Sequence, residues 1–331
     1  MGERGDWQTG AAARHDSAEK HVSGRAVYID DMPEPAGLLH LAIGQSTHAH
    51  ARIAAMDLSV VRAVPGVVAV FTARDIPGKN DVGPVFKDDP IFADGLVQYV
   101  GQSIFAVAAD TVEHARAAAR LASITYEDLP AALDIDAARA AGLDLEPPQR
   151  MTLGDSAAGL ARAKHRAAGS LTMGGQDHFY LEGQVALALP MEDRDVQIYS
   201  STQHPSELQH LVAHMLDVPS NAVTVEVRRM GGAFGGKETQ AALPAAVAAL
   251  AAAKLRRPVK ICLDRDDDMT LTGKRHDFQI GYDVGFDDDG RIEGVEFILA
   301  SRCGYSTDLS LASRLRSPVS ESPATTVRSS S

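Results

Sequence analysis

Val223-Thr-Val-Glu-Val-Arg-Arg-Met-Gly-Gly-Ala-Phe-Gly-Gly-Lys-Glu-Thr-Gln240 is the stretch on which the reading of this chain turns. Val223, Val225 and Val227 alternate with polar residues, the period of a half-buried strand. Gly231, Gly232, Gly235 and Gly236 then form a loop free to adopt positive φ and to let a ligand approach its backbone. From Thr239 the chain turns Ala-rich, and residues 241–255 have the composition of a helix. Strand, glycine loop and helix N-terminus together predict an anion- or cofactor-binding corner. Free N–H groups and the positive end of the helix dipole would converge there.

The same residues satisfy a second pattern. Gly231, four residues, Gly236 and Lys237 match G-x-x-x-x-G-K, the spacing of a nucleotide-binding P-loop. The run Val259–Asp264 even imitates a strand ending in a Mg²⁺-binding Asp. The P-loop needs Ser or Thr after its Lys to hold Mg²⁺, and here Glu238 stands in that place. A carboxylate beside the β- and γ-phosphates repels what the loop must attract. Thr239 comes one residue late, rotated by about 100° on a helix. The NTPase reading thus lacks its metal ligand and stands as an alternative, as does a glycine turn that only packs tightly.

Gly231–Glu238 resembles the molybdenum-cofactor loop of the xanthine dehydrogenase (xanthine oxidase / aldehyde oxidase) family. So do Gly174–Gln184, Ser201–Pro205 and Leu263–Met269, which follow the family's order along the chain. The resemblance runs from about His15 to Leu309 and is to the N-terminal part of the molybdenum-binding subunit of bacterial members. It implies an α+β fold: an α/β hammerhead domain followed by the first part of a molybdenum-cofactor-binding domain.

Composition sets the outer limits. The chain has 331 residues, enough for two or three domains with sizeable cores, and its 45% hydrophobic and 23% charged residues are ordinary globular values. A net charge of −12 argues against a nucleic-acid surface, since phosphates demand a basic one. Cys262 and Cys303 are the only cysteines, so the chain has no disulfide framework and too few ligands for an iron–sulfur cluster of its own. Met1–Trp7 lacks the apolar region of a signal peptide, and the longest apolar run, 241–253, is too short to span a bilayer. The expectation is a cytoplasmic protein without membrane contact.

Residues 1–20 are expected to be a flexible lead-in. Residues 21–128 are expected to form the hammerhead domain. Its strands are read at 38–43, 67–71, 101–109 and 123–126, with 24–33 a strand running into a turn. Asp57 opens a short helix ending before Pro65, and Asp110 caps a helix over Thr111–Leu121 with Glu113 completing a capping box. Residues 73–95, rich in Gly, Pro and Asp, form a long loop. Thr47-His-Ala-His50 sets His48 and His50 on one face of a strand, yet no carboxylate or cysteine nearby completes a metal site.

Residues 129–165 lose any firm period and are expected to be a linker. Residues 166–309 form the first part of the molybdopterin-binding domain. Strands are expected at 185–189, 196–199 and 258–263, and a hairpin over 278–299 turns at Asp287–Gly290. Pro205 opens a helix through Leu216 whose apolar positions Leu208, Leu211, Val212, Met215 and Leu216 share one face. Residues 310–331 are Ser-, Arg-, Pro- and Thr-rich without a period and depart from the family pattern, and a disordered, aberrant tail is expected. Family chains are far longer. A frameshift or premature stop near residue 310 is the expectation, with a naturally short relative as the alternative.

The resemblance also implies roles. The reaction is oxidative hydroxylation of a purine, hypoxanthine or xanthine to urate, on a molybdenum–molybdopterin cofactor. Electrons leave through 2Fe–2S centres and FAD on a partner subunit or domains. Gln203 is matched to a position beside the molybdenum, and Phe234 and Gly235 to the loop lying over the metal. No residue here is matched to a direct metal ligand. Glu238 is matched to the glutamate that orients the purine, and relatives acting on aldehydes tend to lack it. The family's general base and its transition-state arginine have no counterpart. The chain alone is therefore expected neither to hold molybdenum stably nor to turn over xanthine. A non-enzymatic remnant or binding module of the same fold is the rival.

Overall fold

The computed structural model describes residues 15–311 and 325–330. The first third carries α1 (Ala18–Val22), β1 (Leu39–Gln45), β2 (Ala51–Asp57), α2 (Ser59–Arg62), β3 (Val67–Thr72), β4 (Leu96–Val97), β5 (Ser103–Ala109), α3 (Val112–Ala119) and β6 (Ser123–Asp128). Next come α4 (Ile135–Ala140), β7 (Gln149–Leu153), α5 (Ser156–Arg162), β8 (His165–Met173), β9 (Val185–Pro190), β10 (Val196–Ser200), α6 (Pro205–Leu216) and β11 (Val223–Glu226). The last elements are α7 (Ala242–Leu255), β12 (Val259–Cys262), α8 (Arg265–Leu271), β13 (Phe278–Phe286), β14 (Ile292–Ser301) and β15 (Thr325–Ser330).

A seven-stranded mixed sheet, ordered β11-β10-β9-β12-β1-β5-β3, runs through the centre of the molecule. Its middle joint is the parallel pairing of β1 with β12, Leu39 opposite Val259 and His40 opposite Lys260. Strands from the first 109 residues and from beyond residue 180 thus share one sheet. The hammerhead segment is not a separate compact unit.

β5 is buried along its whole length, and its period of two distributes it between two cores. Ala106 and Ala108 join the main core under α6 and α7. Phe105 and Val107, on the opposite face, join a second core with α2, α3 and the small sheet β4-β2-β6, which Ile104 at the start of the strand also reaches. Gly44 of β1 lies under the Phe105 ring, where an added Cβ would fall 2.1 Å from the ring. α7 is buried on all sides from Ala242 to Ala252, which explains a composition with almost no amphipathic contrast. Pro244 sits in its first turn, where a missing N–H breaks no helical bond.

A third sheet, β7-β15-β14-β13-β8, is braced on one face by α5. Helix and hairpin meet through glycines. A Cβ on Gly159 would lie 2.2 Å from Glu293 O, and one on Gly294 2.6 Å from Leu160 N.

Several expectations need correcting. Residues 24–33 form turns rather than a strand, with Tyr28 N donating to Asp31 Oδ2 at 3.0 Å. Thr111, not Asp110, caps α3: its side chain accepts from His114 N, while Asp110 is taken by the His114 ring at 2.6 Å. Asp57 does accept from Ser59 N at the start of α2. His48 and His50 lie in the β1–β2 loop. The first stacks on Tyr126 at 4.1 Å and the second meets Pro130 O at 2.6 Å. The stretch 129–165 is no bare linker, since α4, β7 and α5 lie in it, capped at Asp134 and Asp155. Thr325–Ser330 is a strand between β14 and β7, against the expectation of a tail without structure. The rest of that tail beyond Leu311 lies outside the described residues, as do residues 1–14 of the lead-in.

Candidate functional site

β11 ends at Glu226 and α7 starts only at Ala242, so the glycine loop does not feed straight into a helix. It forms a turn of its own, closed by Gly236 N donating to Ala233 O at 2.8 Å. Gly232 (φ 99°) and Gly235 (φ 91°) occupy the left-handed region that only glycine adopts freely. Phe234 between them is also left-handed, at φ 55°, a costly state for a bulky residue, and is 76% exposed. Gly231 and Gly236 serve close approach instead. A Cβ on the first would lie 2.5 Å from Glu182 Cβ, and one on the second 2.6 Å from the His178 ring.

The loop rests on a polar platform. Glu182 Oε2 accepts from Gly231 N at 2.8 Å and from Lys237 Nζ at 3.0 Å. Lys237 is 0% exposed and lies over the Tyr180 ring at 4.6 Å. Burial lowers its pKa, and Glu182 opposes that shift. Gln184, also fully buried, donates to Gly236 O and to Tyr180 Oη, both at 2.9 Å. Tyr180 in turn donates to Asp268 Oδ1 at 2.8 Å. Burial first, and Asp268 second, push the Tyr180 phenol well above its usual range. Arg265 closes the network through Tyr180 O and Asp268.

This arrangement removes the nucleotide reading. A P-loop lysine must reach phosphates, whereas Lys237 points inward to Glu182. Asp264 is spent as the cap of α8 and on Arg116 at 2.7 Å.

Gln203 and Glu238 are brought to either side of Lys237. Gln203 N donates to Lys237 O at 2.8 Å, and Gln203 Oε1 accepts from Lys237 N at 3.1 Å. Because its carbonyl is engaged by Lys237 N, the amide NH₂ of this exposed residue is left as a donor with no partner among the described residues. Glu238 is exposed, in a bend ahead of α7, and has no hydrogen-bond or ion-pair partner among the described residues. It lies four residues ahead of the first residue of α7, so it is not a helix-start residue. Nothing lies within 4 Å of a Cβ built on Gly235. The outer face of the loop therefore offers an amide donor, a free carboxylate, open backbone and an exposed ring. Phe179 and Leu181, 61% and 92% exposed, sit on the neighbouring segment.

Glu182, Gln184, Tyr180 and Asp268 escape the sequence reading as site residues, although they lie in the quoted stretches. The usable signal is Lys237 itself, since a cation inside a glycine loop must find a counter-ion if the loop is buried. A second cluster pins the other end of the site. Asp89 accepts from Tyr305 Oη, Asp88 Oδ2 from Thr307 N at 2.8 Å, and Asp308 Oδ2 from Gln240 Nε2 at 3.2 Å. No three His, Cys, Asp or Glu side chains among the described residues converge as a metal site. No helix among them is long and apolar enough to cross a membrane.

Comparison with known proteins gives two family matches. Residues 144–319 match the molybdopterin cofactor-binding domain, and residues 23–130 match the α/β hammerhead domain of aldehyde oxidase and xanthine dehydrogenase. The chain is 42% identical over 301 residues to a xanthine dehydrogenase of Calliphora vicina, and 44% over 297 to the xanthine dehydrogenase/oxidase of Mus musculus. These alignments cover 90% and 89% of this chain but only 22% of either relative. Among solved structures, the aldehyde oxidoreductase of Desulfovibrio gigas superposes with a TM-score of 0.84 at 27% identity, over 95% of this chain and 38% of that one. Quinoline 2-oxidoreductase of Pseudomonas putida 86 shares the fold, with a TM-score of 0.83 at 23% identity over 97% of this chain and 44% of that one.

Proposed function

The chain belongs to the molybdopterin cofactor-binding family, joined here to the hammerhead domain of aldehyde oxidases and xanthine dehydrogenases, and from that premise we propose that it builds one wall of a xanthine dehydrogenase active site. The substrate class is a purine, hypoxanthine or xanthine. The partner is a subunit or domain set carrying FAD and 2Fe–2S centres, which takes the electrons away. The observation that carries the reading is the outward face of the loop. Gln203 and Glu238 present a donor and a carboxylate, neither with a partner among the described residues, next to one buried lysine.

The residues suit the cofactor. The space over Gly235 is open and its backbone bare, so a bulky group can approach without displacing side chains. The Gln203 NH₂, whose sister oxygen is taken by Lys237 N, can donate to an oxygen beside the molybdenum. When bound, the molybdenum cofactor supplies oxidation and oxygen insertion at a purine carbon, while the protein supplies orientation and electrostatics. Phe234 forms a dry wall, which strengthens each polar contact near it. Glu238 accepts hydrogen bonds from the purine and sets its orientation. A site built to hydrogen-bond its substrate rejects analogues lacking the partner group by as much as roughly 10⁴–10⁵.

The test uses the assembled, molybdenum-loaded enzyme. Glu238→Gln is expected to lower kcat/KM for xanthine by about 10–100-fold, the worth of one charge-assisted hydrogen bond, and to change a small aldehyde by no more than a few-fold. Equal losses on both substrates, or none on xanthine, overturn the reading. If the chain takes up no molybdenum cofactor with its partner present, a binding module of the same fold is the better account.

A further inference from the structure

One oxygen holds both ends of the glycine loop. Glu182 Oε2 accepts Gly231 N at 2.8 Å and Lys237 Nζ at 3.0 Å, so residues 231 and 237 are clasped from below by a single carboxylate. The ion pair is sequestered, with side-chain exposures of 0% for Lys237 and 10% for Glu182. The Lys237 backbone is fixed independently, its N–H on Gln203 Oε1 and its carbonyl on Gln203 N. Glu238 is the next residue, exposed and without a partner among the described residues. A freely rotating carboxylate on a mobile loop would make a poor orienting group. This one departs from a backbone point held from below by Lys237 and from the side by Gln203.

A buried ion pair is weak evidence for stability, because apolar residues of similar volume often serve as well or better. What it supplies here is a fixed geometry. Resting on the purine-orienting reading of Glu238, we propose that the Lys237–Glu182 pair is a positioning device. It sets the direction of the Glu238 carboxylate and, through it, the discrimination of a purine from a substrate that needs no such contact. Lys237 and Glu182 touch neither substrate nor cofactor in this scheme.

The experiment compares Lys237→Met, Lys237→Arg, Glu182→Gln and Glu238→Gln in the assembled enzyme. Molybdenum content, deuterium uptake over residues 231–240, and kcat and KM on xanthine and on a small aldehyde are read for each. Lys237→Met keeps the length and removes the charge, and is expected to raise deuterium uptake across the loop. The xanthine-to-aldehyde ratio of kcat/KM should drop about 10-fold or more, mainly through KM. The double variant Lys237→Met/Glu238→Gln should show a ratio no lower than Glu238→Gln alone, since both act through one carboxylate. Lys237→Arg should recover at least half of the lost ratio on a logarithmic scale. Glu182→Gln, which keeps an acceptor for Gly231 but loses the ion pair, should resemble Lys237→Met.

If Glu238→Gln leaves the ratio unchanged, the functional reading fails. If it lowers the ratio while Lys237→Met and Glu182→Gln do not, only the positioning inference fails. Equal losses on both substrates, additive effects with Glu238→Gln, or variants that all lose fold or molybdenum together make the pair a structural brace and overturn the inference.

Discussion

Asp89 holds its proton up to about pH 7 because burial disfavours its charge, with Asp308, Asp81 and Asp88 adding repulsion and the Tyr305 hydroxyl only partly offsetting them. A carboxyl whose pKa rises on folding binds its proton more tightly in the native state. Native stability from this group therefore falls as pH climbs from about 4 to about 7, and levels off above. Asp89→Asn keeps an acceptor for Tyr305 and removes the ionisation. The melting temperature of the variant, relative to the parent, should increase across that interval and then stay constant, and a difference independent of pH would count against this account. Nothing local announces the group. Asp89 sits in a Gly- and Pro-rich stretch whose sequence says only "loop", and its partner lies 216 positions away. Glu182 is likewise unannounced, its partner Lys237 lying 55 positions away. By contrast, Phe234, Gly235 and Glu238 lie in the glycine-rich loop and Gln203 in Ser201–Pro205, stretches singled out by the family resemblance they carry.

Elements with a strong internal period are legible, and elements defined by what they touch are not. α6 shows its boundaries at Pro205 and Leu216 because proline opens it and one apolar face runs its length. The hairpin β13–β14 shows itself by its acidic turn. The long edge strand β8 is exposed along its whole length, so it carries no alternation to read. α5 is short and is fixed by glycine contacts rather than by its own sequence. That packing gives an element-scale prediction. Gly294→Ala drives a methyl group into the α5 backbone and should cost about 1–3 kcal/mol, read as a lower urea midpoint at unchanged slope. Gly281→Ala, in the same hairpin, meets only Ile298 Cβ at 3.6 Å. It should be neutral or stabilising by roughly 0.5–1 kcal/mol, since alanine loses less backbone entropy than glycine.

At the scale of the molecule, the central sheet binds together the two segments that match separate families. Residues 23–130 supply β1, β3 and β5, and residues 144–319 supply β9 to β12. Cutting the chain between them would bare the β12 edge and open the core beneath α7, so residues 144–331 made alone should be insoluble or lack a cooperative melt. The whole chain should melt in one calorimetric transition, and two resolved transitions would argue for separable units. Domain text is readable in the sequence as two blocks, but a shared sheet is not, because the β1–β12 pairing is parallel and has no turn to signal it. That pairing also has a clock attached. Leu39 leaves the ribosome some 220 residues before Val259, which at 5–20 residues per second is on the order of ten to forty seconds. Throughout that interval the nascent β1 has no β12 to meet, and a strand edge left open so long during synthesis is a natural point of engagement for a chaperone.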